Sequence, residues 1–393
     1  MKKNIMIQGT SSSVGKSILA AAICRILTED GYQVSPFKSQ NMSLNSHVTP
    51  DGYEMGRAQV LQAEACRLVP RAEMNPILLK PSSDQNAQVI VMGKVYKSMK
   101  ASDYFLFKSH LKEVIMSAYE SLKNASDIVV IEGAGSPVEI NLKNDDIVNM
   151  GLAKMVDAPV ILVADIDRGG VFASIYGTVM LLDEEERKRV KGIIINKFRG
   201  DIKLLQPGIA QIEELVGIRV LGTIPYFRHD LDDEDRVVDW TKFNNETEAR
   251  LEVAVLKVPY LSNLTDFQPL TLHQDIRLRI IELEDDIGNP DLIIIPGTKS
   301  TVEALKKIRE SGMDRKILKC HEAGSAVMGI CGGYQIMGRK IVDSKGVESD
   351  SPETDGLGLI DMVTGFREQK NTSLIRALNH FTGGEIRGYE IHM

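Results

Sequence analysis

The sequence predicts an α/β protein with two successive domains, the first of them built on a doubly wound parallel sheet. Short apolar runs recur along the chain, and each is followed by a polar tip and then by a stretch with helical spacing. A glycine-rich loop of the phosphate-binding type joins the first run to its helix. An acidic run then divides the chain, and a second αβ series follows it. The 393 residues are enough for two or three domains.

Composition narrows the class of protein and its partners. With 43% hydrophobic and 26% charged residues, the chain has the composition of an ordinary globular protein. A net charge of -7 argues against a nucleic-acid partner but leaves an anionic nucleotide open, because the local field of a loop decides that binding. The four cysteines show neither a CxxC pair nor metal-ligand spacing, which favours a reducing, cytoplasmic setting. Neither a signal-peptide pattern nor an apolar run of membrane-spanning length occurs, so no membrane partner is expected.

The first decisive stretch is residues 5–17, which read IMIQGTSSSVGKS. Its apolar start fits a buried parallel strand, and the spacing over 18–27 predicts a helix. The loop between them can cradle phosphate with its backbone N–H groups and the positive end of the helix dipole, while its lysine reaches the outer phosphates and its last serine ligates magnesium. The residues expected to bind ATP here are Gly9, Thr10, Gly15, Lys16 and Ser17.

This loop is a variant of the phosphate-binding pattern. The strict pattern GxxxxGKS/T would place its first glycine at Thr10, and the glycine instead occupies position 9. The alternative is a plain Gly and Ser turn between a strand and a helix, with a lysine there by chance.

A polar stretch, residues 38–46, follows the second predicted strand at 33–37. Its amide and hydroxyl side chains are costly to bury unpaired and are suited to holding a polar ligand, although a solvated loop is the alternative. The candidate substrate-binding residues in it are Lys38, Gln40, Asn41 and Asn45. A helix is expected at 54–67, which either lines a site or is simply amphipathic. Strands are expected at 74–81, with Lys80 at a strand end, and at 87–92.

Polar residues also close the later strands of the first domain. A helix over 103–123 precedes a strand at 127–131 that ends in Glu132, the candidate second magnesium ligand. After a helix over 145–155, a strand at 159–164 ends in Asp165, and a strand at 191–196 ends in Asn196. A charged residue at the end of a single strand is usually a solvated cap. The prediction of a site therefore depends on the polar strand ends taken together.

The domain boundary is predicted after the strand at 217–225. The acidic run 228–236 is typical of an exposed connection, so we assign 1–230 to the first domain, 231–250 to a linker and 251–393 to the second domain. In the second domain, strands are expected at 251–258, 279–283 and 291–295, with a helix over 300–311.

The second decisive stretch is 326–338, AVMGICGGYQIMG. A short apolar strand delivers Cys331 into a Gly-Gly turn that starts a helix, the geometry that exposes a nucleophile. The backbone N–H groups of Gly332 and Gly297 are placed to stabilise an oxyanion, and the helix N-terminus favours a thiolate. For the other three cysteines, a buried hydrophobic role is the default.

Several motifs carry a resemblance to known families. GICGGYQIMG and IIPGTKST resemble the nucleophile elbow and oxyanion strand of class I glutamine amidotransferases, and QGTSSSVGKS is similar to the phosphate loop of dethiobiotin synthetase. Other long motifs, in the same order along the chain, resemble the cobyrinic and cobyric acid synthase amidotransferase family. These motifs are FKSQNMSLNS, EMGRAQVLQAEA, MNPILLKP, VIEGAGSPVEINL, DIDRGGVFAS, INKFRGD and RGYEIHM.

The resemblance implies a glutamine-dependent ligase of cobalamin biosynthesis. It implies a dethiobiotin synthetase-like P-loop domain that uses Mg-ATP to phosphorylate corrinoid carboxylates, with Ser17 and Glu132 on the metal and Asn196 against the base. Ammonia then forms the amides at positions b, d, e and g of adenosylcobyrinic acid a,c-diamide, giving cobyric acid. A flavodoxin-like α/β amidotransferase domain would release that ammonia from L-glutamine by attack of the Cys331 thiolate.

One departure from the family concerns the general base. Family members continue past the motif that here ends at position 393, and their activating histidine lies in that later segment. We therefore expect a truncated amidotransferase domain with little glutamine hydrolysis, and we do not assign the base to His392.

Two alternatives stay open: a cobyrinic acid a,c-diamide synthase, which the NMSLNS stretch disfavours, and a non-catalytic P-loop ATPase in which Cys331 is a packing residue. Association into a homo-oligomer also stays open.

Overall fold

A computed structural model of the chain describes residues 2–83, 85–143, 145–227, 249–380 and 382–392. The chain forms two compact units. Unit 1 consists of Met1–Ser43, Thr49–Leu79 and Val89–Arg236, and unit 2 of Leu44–Val48, Lys80–Gln88 and Val237–Met393. Two short segments from the first quarter of the sequence therefore group with the C-terminal unit.

The bounds of the regular elements are as follows. The strands are β1 (Lys3–Gly9), β2 (Val34–Phe37), β3 (Gln40–Met42), β4 (Ser46–Val48), β5 (Glu54–Gly56), β6 (Ile77–Pro81), β7 (Asn86–Val91), β8 (Lys94–Lys100), β9 (Ile128–Glu132), β10 (Val160–Asp165), β11 (Val190–Phe198), β12 (Val220–Pro225), β13 (Leu251–Leu256), β14 (Ile276–Ile281), β15 (Leu292–Ile295), β16 (Ala326–Gly329), β17 (Lys340–Val342), β18 (Glu353–Asp355), β19 (Val363–Gly365), β20 (Asn371–Leu378) and β21 (Glu385–His392). The helices are α1 (Lys16–Glu29), α2 (Arg57–Ala65), α3 (Ala101–Ala125), α4 (Met150–Met155), α5 (Val171–Leu181), α6 (Glu184–Arg189), α7 (Ile202–Val216), α8 (Gln268–Thr271), α9 (Thr301–Glu310), α10 (Met313–Glu322) and α11 (Gly332–Met337).

Unit 1 is organised around a six-stranded sheet in the order β12-β11-β10-β1-β9-β2. Its strands are parallel, which confirms the predicted sheet. The loop-bearing strand β1 lies between β9 and β10, and its register pairs Ile7 with Glu132 and Gly9 with Val163. Because parallel strands end at the same edge, this register places the phosphate loop beside the tip of β9, where a ligand site is expected.

Unit 2 contains a smaller parallel sheet in the order β14-β13-β15-β16. Apolar side chains from these strands pack with those of α9 and α10, and Ile293, Ile295, Leu305 and Ile317 are fully buried among them. Strand β16 leads through Cys331 directly into α11. A three-stranded sheet and the antiparallel hairpin of β20 and β21 complete this unit.

Several predicted elements have bounds that differ from those observed. The helix expected over 145–155 begins only at Met150, because the Asp146 carboxylate accepts the backbone N–H groups of Val148, Asn149 and Gly151 and holds them in a turn. The helix expected over 54–67 begins at Arg57, after a short strand. The strand expected at 279–283 is Ile276–Ile281.

The acidic run at 228–236 lies outside the described residues. Within the described part of the chain, no helix has both the length and the hydrophobicity that crossing a bilayer requires.

Candidate functional sites

The phosphate loop has two positions that require glycine. A Cβ at Gly9 would lie 2.6 Å from Val14 Cγ2, and Gly15 has φ +98°, in the region that favours glycine. Lys16 starts α1 and is buried, and its Nζ donates to the carbonyl of Gly135 at 3.3 Å. The lysine is thus folded over a loop whose backbone is shaped to present N–H groups to an anion.

Glu132 is the centre of a buried polar cluster at the tip of β9. Its side chain is only 1% exposed. Its Oε1 accepts from Ser17 Oγ at 2.8 Å and from Lys38 Nζ at 2.9 Å. Its Oε2 accepts from Gln62 Nε2 at 2.6 Å and from Gln59 Nε2 at 3.4 Å. The two residues proposed from sequence as magnesium ligands are therefore within hydrogen-bond distance of one another.

The oxygen atoms at this cluster fit a hard divalent cation. Mg²⁺ prefers oxygen ligands and takes several of them from water and from substrate phosphates. Ser17 offers one side-chain oxygen and the Glu132 carboxylate two, and Gln62 Oε1 is a buried oxygen with no hydrogen-bond partner. The described residues include no group of three or more His, Cys, Asp or Glu side chains suited to a metal, so the protein ligands alone do not make a closed cage.

The polar stretch 38–46 is not a solvated loop, so that alternative is wrong. Lys38 and Asn41 are buried, and Asn41 Nδ2 donates to Gln59 Oε1 at 3.0 Å, behind Glu132. Gln40 accepts from the Tyr104 hydroxyl at 2.6 Å. Asn45 belongs to unit 2, where its Oδ1 accepts from the backbone of Asn263. The four candidate substrate residues therefore do not form one cluster.

Asn196 and Lys197 hold the phosphate loop from the tip of β11. Asn196 Nδ2 donates to the carbonyl of Val14 at 2.8 Å, and Lys197 Nζ donates to that of Ser13 at 2.7 Å. Lys197 also pairs with Asp165 at 2.9 Å. Asn196 thus supports the loop, and its contact with an adenine base stays a prediction. Lys197 was not predicted as a site residue, because only the fold brings it beside the phosphate loop.

Cys331 occupies a strained turn between β16 and α11. Its φ of 49° is unusual for a residue with a side chain, and such strain is typical of functional sites. A Cβ at Gly333 would lie 1.9 Å from the carbonyl oxygen of Ile295, and one at Gly332 would lie 2.9 Å from Thr298 Cγ2. The turn therefore tolerates only glycine after the cysteine, as a nucleophile elbow does.

The elbow opens into a cavity of about 500 Å³ within unit 2. Cys331 and Gly297 both line it, so the thiol and one predicted oxyanion donor face the same space. Three cationic and three anionic side chains also line the cavity: Lys80, Lys299, Lys370, Asp266, Glu348 and Glu390. A cavity with both charges suits a zwitterionic amino acid. His392 lines the cavity as well.

The pKa of the Cys331 thiol results from opposing effects. Burial raises the pKa of Cys331, although the residue is accessible from the cavity. The Gly332 N–H lowers the pKa, as do Lys80 and Lys299, while Glu348 raises it. The N–H at the start of α11 thus acts in the predicted direction, but desolvation outweighs it.

Two cavity residues were not identified as site residues from the sequence. Lys80, only 6% exposed, donates to Ser46 Oγ at 3.0 Å, and both residues come from the two segments that group with unit 2. Glu348 accepts from the backbone N–H of Val302 at 3.1 Å, at the start of α9, and burial raises its pKa. The sequence feature that could have identified Lys80 as a site residue is its place in an otherwise apolar strand.

Replacing Lys80 with methionine is expected to slow alkylation of Cys331 by iodoacetamide about threefold near neutral pH. The Lys80 ammonium stabilises the thiolate, so its loss raises the pKa of Cys331 and moves the midpoint of the rate profile to higher pH. Lys306→Met, on the exposed face of α9, is the matched control and should leave the profile unchanged. The interpretation fails if the two variants give the same midpoint.

Two family models match the chain. A CobQ/CobB/MinD/ParA nucleotide binding domain matches residues 5–236, and a CobB/CobQ-like glutamine amidotransferase domain matches residues 252–393. Among solved structures, the MinD cell division protein of Aquifex aeolicus is similar over 57% of this chain and 83% of its own, with 14% identity. The TM-score of this match is 0.30.

Curated relatives match over the whole chain. A cobyric acid synthase of Clostridium novyi is 54% identical over 391 residues, covering 100% of this chain and 77% of the relative. One of Alkaliphilus metalliredigens is 53% identical, covering 99% and 79%, and one of Listeria monocytogenes is 54% identical, covering 100% and 77%. The two family models follow one another along this chain in the order of a nucleotide binding domain and a glutamine amidotransferase domain. The chain therefore belongs to the cobyric acid synthase family, whose members are glutamine-dependent ligases.

Proposed function

We propose that this chain amidates the b, d, e and g carboxylates of adenosylcobyrinic acid a,c-diamide through acyl phosphates, and that it uses Mg-ATP and ammonia derived from glutamine. The observation that carries the synthetase half is the buried Glu132 carboxylate, shared by Ser17 of the phosphate loop and by Lys38. It brings a metal ligand and a cation to the place where the outer phosphates are expected.

The residues of unit 1 provide for activation of a carboxylate. A carboxylate oxygen is a poor leaving group, so it must first be phosphorylated before ammonia can displace it. Lys16 and the loop N–H groups would hold the outer phosphates, and Ser17 and Glu132 would hold Mg²⁺, which would neutralise charge on the phosphate. Lys38 lies in the same cluster, where its ammonium can orient the incoming carboxylate.

The residues of unit 2 provide for release of ammonia. The Cys331 thiolate attacks the amide carbon of glutamine, and the N–H groups of Gly332 and Gly297 stabilise the oxyanion that forms. The carbon–nitrogen bond then breaks, the nitrogen takes up a proton and leaves as ammonia, and water hydrolyses the glutamyl thioester. Glu348 and Lys299 line the cavity and suit the α-ammonium and α-carboxylate of the amino acid.

The backbone at Cys331 argues against a non-catalytic ATPase. A residue in this conformation costs about 1–3 kcal/mol of strain, which a simple packing residue has no reason to incur. Its exposure to the cavity argues the same way, because the other three cysteines are buried.

Incubation with cobyrinic acid a,c-diamide, Mg-ATP and an ammonium salt tests the proposal without depending on glutamine hydrolysis. We expect mass spectrometry to show stepwise conversion of the remaining acids to amides. Absence of conversion, with the chain folded and binding ATP, would contradict the proposal. Amidation of cobyrinic acid at positions a and c alone would favour the a,c-diamide synthase instead.

A further inference from the structure

We propose that Asn149 is a positioning residue of the phosphate site in unit 1. Its side chain fixes residues 133–136, which we call the β9 loop because they follow strand β9, and this loop in turn orients the ammonium of Lys16. The role rests on the proposed function, since it concerns the ATP site of that reaction. It deepens that function by naming a residue that acts on ATP through Lys16.

Asn149 is only 4% exposed and binds the β9 loop through both ends of its side-chain amide. Its Nδ2 donates to the carbonyl of Ala134 at 2.6 Å and to that of Ser136 at 3.1 Å. Its Oδ1 accepts from the backbone N–H of Ala134 at 3.0 Å. One side chain therefore satisfies three backbone groups of a loop that belongs to no strand or helix.

Two glycines adapt the β9 loop to this contact. A Cβ at Gly133 would lie 2.3 Å from Asn149 Oδ1, which is closer than real side chains approach. Gly135 has φ +58°, in the left-handed region that favours glycine. The conformation of the loop therefore depends on the buried amide as well as on the sequence of the loop itself.

The turn before α4 fixes the direction of Asn149. The Asp146 carboxylate accepts from the backbone N–H groups of Asn149 and Gly151, each at 2.9 Å. The carbonyl of Asn149 accepts from the N–H of Ala153 at 2.9 Å, in the first turn of α4. Because the main chain of Asn149 is hydrogen-bonded on both sides, its side chain is held toward the β9 loop.

The β9 loop lies against the phosphate loop and shares its lysine. Lys16 Nζ donates to the carbonyl of Ser11 at 3.0 Å and to that of Gly135 at 3.3 Å. At the base of the two loops, the N–H of Gly133 donates to the carbonyl of Ile7 at 2.8 Å. The ammonium is thus held by one carbonyl from each loop, and Asn149 fixes the loop that supplies the second.

An ammonium held in this way is ordered before a phosphate arrives. A lysine side chain has several rotatable bonds, and fixing it on binding costs conformational entropy. Order imposed in advance removes part of that cost from ligand binding. Without Asn149, the Gly135 carbonyl is no longer held at Lys16, so we expect the affinity for ATP to fall.

Equilibrium binding of Mg-ATP to the full chain tests this role. In Asn149→Ala we expect the Kd for Mg-ATP to rise about tenfold, because the ordering of Lys16 is lost. Asn4→Ala is the matched control, since Asn4 Nδ2 donates to the Tyr119 hydroxyl and to the carbonyl of Val156 at the opposite end of β1. This variant also loses hydrogen bonds and stability, but it should leave the Kd unchanged.

Ammonia-dependent amidation supplies a readout that a general loss of stability would not move. In Asn149→Ala we expect the KM for ATP to rise about tenfold, with kcat and the KM for the corrinoid within about twofold of the wild type. Asp146→Asn weakens the turn and should raise the KM for ATP by a smaller factor, because an amide oxygen is a weaker acceptor than a carboxylate. Asp146 is partly exposed, so this second variant tests the role even if Asn149→Ala does not fold.

Three results would overturn the role of Asn149. The first is a Kd for ATP that is unchanged in both Asn149→Ala and Asp146→Asn. The second is tighter binding, which would mean that the Gly135 carbonyl competes with phosphate for Lys16. The third is an equal rise in Kd in Asn149→Ala and Asn4→Ala, since general destabilisation would explain both. If the wild-type chain binds ATP without amidating the corrinoid, the proposed function fails, and the Kd values still decide the role of Asn149.

Discussion

Serine in place of Cys331 is expected to abolish glutamine-dependent amidation and to leave ammonia-dependent amidation unchanged. A serine hydroxyl at the elbow is a far weaker nucleophile than a thiolate, and loss of a nucleophile of this kind lowers the rate by about a thousandfold or more. In the proposed division of the reaction, ammonia-dependent amidation uses the cluster around Glu132 in unit 1 and does not require the thiol. The direct measurement is covalent labelling by a diazoketone analogue of glutamine, followed by mass spectrometry of the peptide that contains position 331.

Cys320→Ser is the matched control for this variant. Cys320 belongs to the same unit but is buried on α10, where its Sγ donates to the carbonyl of Gly288 at 3.4 Å. We expect Cys320→Ser to retain labelling by the glutamine analogue and both amidation reactions. If Cys331→Ser lost ammonia-dependent amidation as well, the two units would not divide the reaction as proposed.

Glu132→Gln is expected to abolish amidation with either nitrogen source and to lower the free energy of unfolding by about 3 kcal/mol. The substitution removes the counterion of the buried Lys38 ammonium and one candidate oxygen ligand of the metal. A buried charge without its partner is destabilising, and the glutamine amide cannot replace the carboxylate charge. Chemical denaturation measures the loss of unfolding free energy. Binding of ATP with and without Mg²⁺ measures the loss of the metal ligand.

The double variant Lys38→Met/Glu132→Gln separates the two effects. Removing both charges should restore much of the lost stability, because no uncompensated buried charge remains. Amidation should stay absent, because the metal ligand and the lysine are both missing. Recovery of amidation together with stability would show that Glu132 acts only as a structural partner of Lys38.

The phosphate loop and the elbow were predictable because each shows a local pattern of an apolar run, a glycine-containing turn and a helical stretch. The limit at Gly9 comes from Val14 nearby in the sequence and that at Gly15 from its positive φ, whereas the glycines after Cys331 are limited by Ile295 and Thr298. An apolar run followed by such a loop therefore specifies a strand, a turn and a helix without knowledge of the rest of the chain. The central parallel sheet of unit 1 followed from the same repeated pattern.

The buried state of the 38–46 stretch could not be predicted in the same way. Its polar side chains are compatible with solvent or with a polar interior, and only the partners decide between them. Lys38 is buried because Glu132 neutralises it, and these residues are 94 positions apart in the sequence. Burial of such a group is a property of the pair, so a single stretch cannot determine it.

The sequence by itself thus determined the parallel α/β architecture, the phosphate loop, the elbow at Cys331 and the family resemblance. The tertiary structure alone decided which distant side chains complete each site: Gln62 beside Glu132, and Lys80 and Glu348 beside Cys331. It also decided that burial, rather than the helix N-terminus, dominates the pKa of the Cys331 thiol. The physical reason is that charge pairing and desolvation depend on distance in space, and residues far apart in the chain come together only when the chain folds.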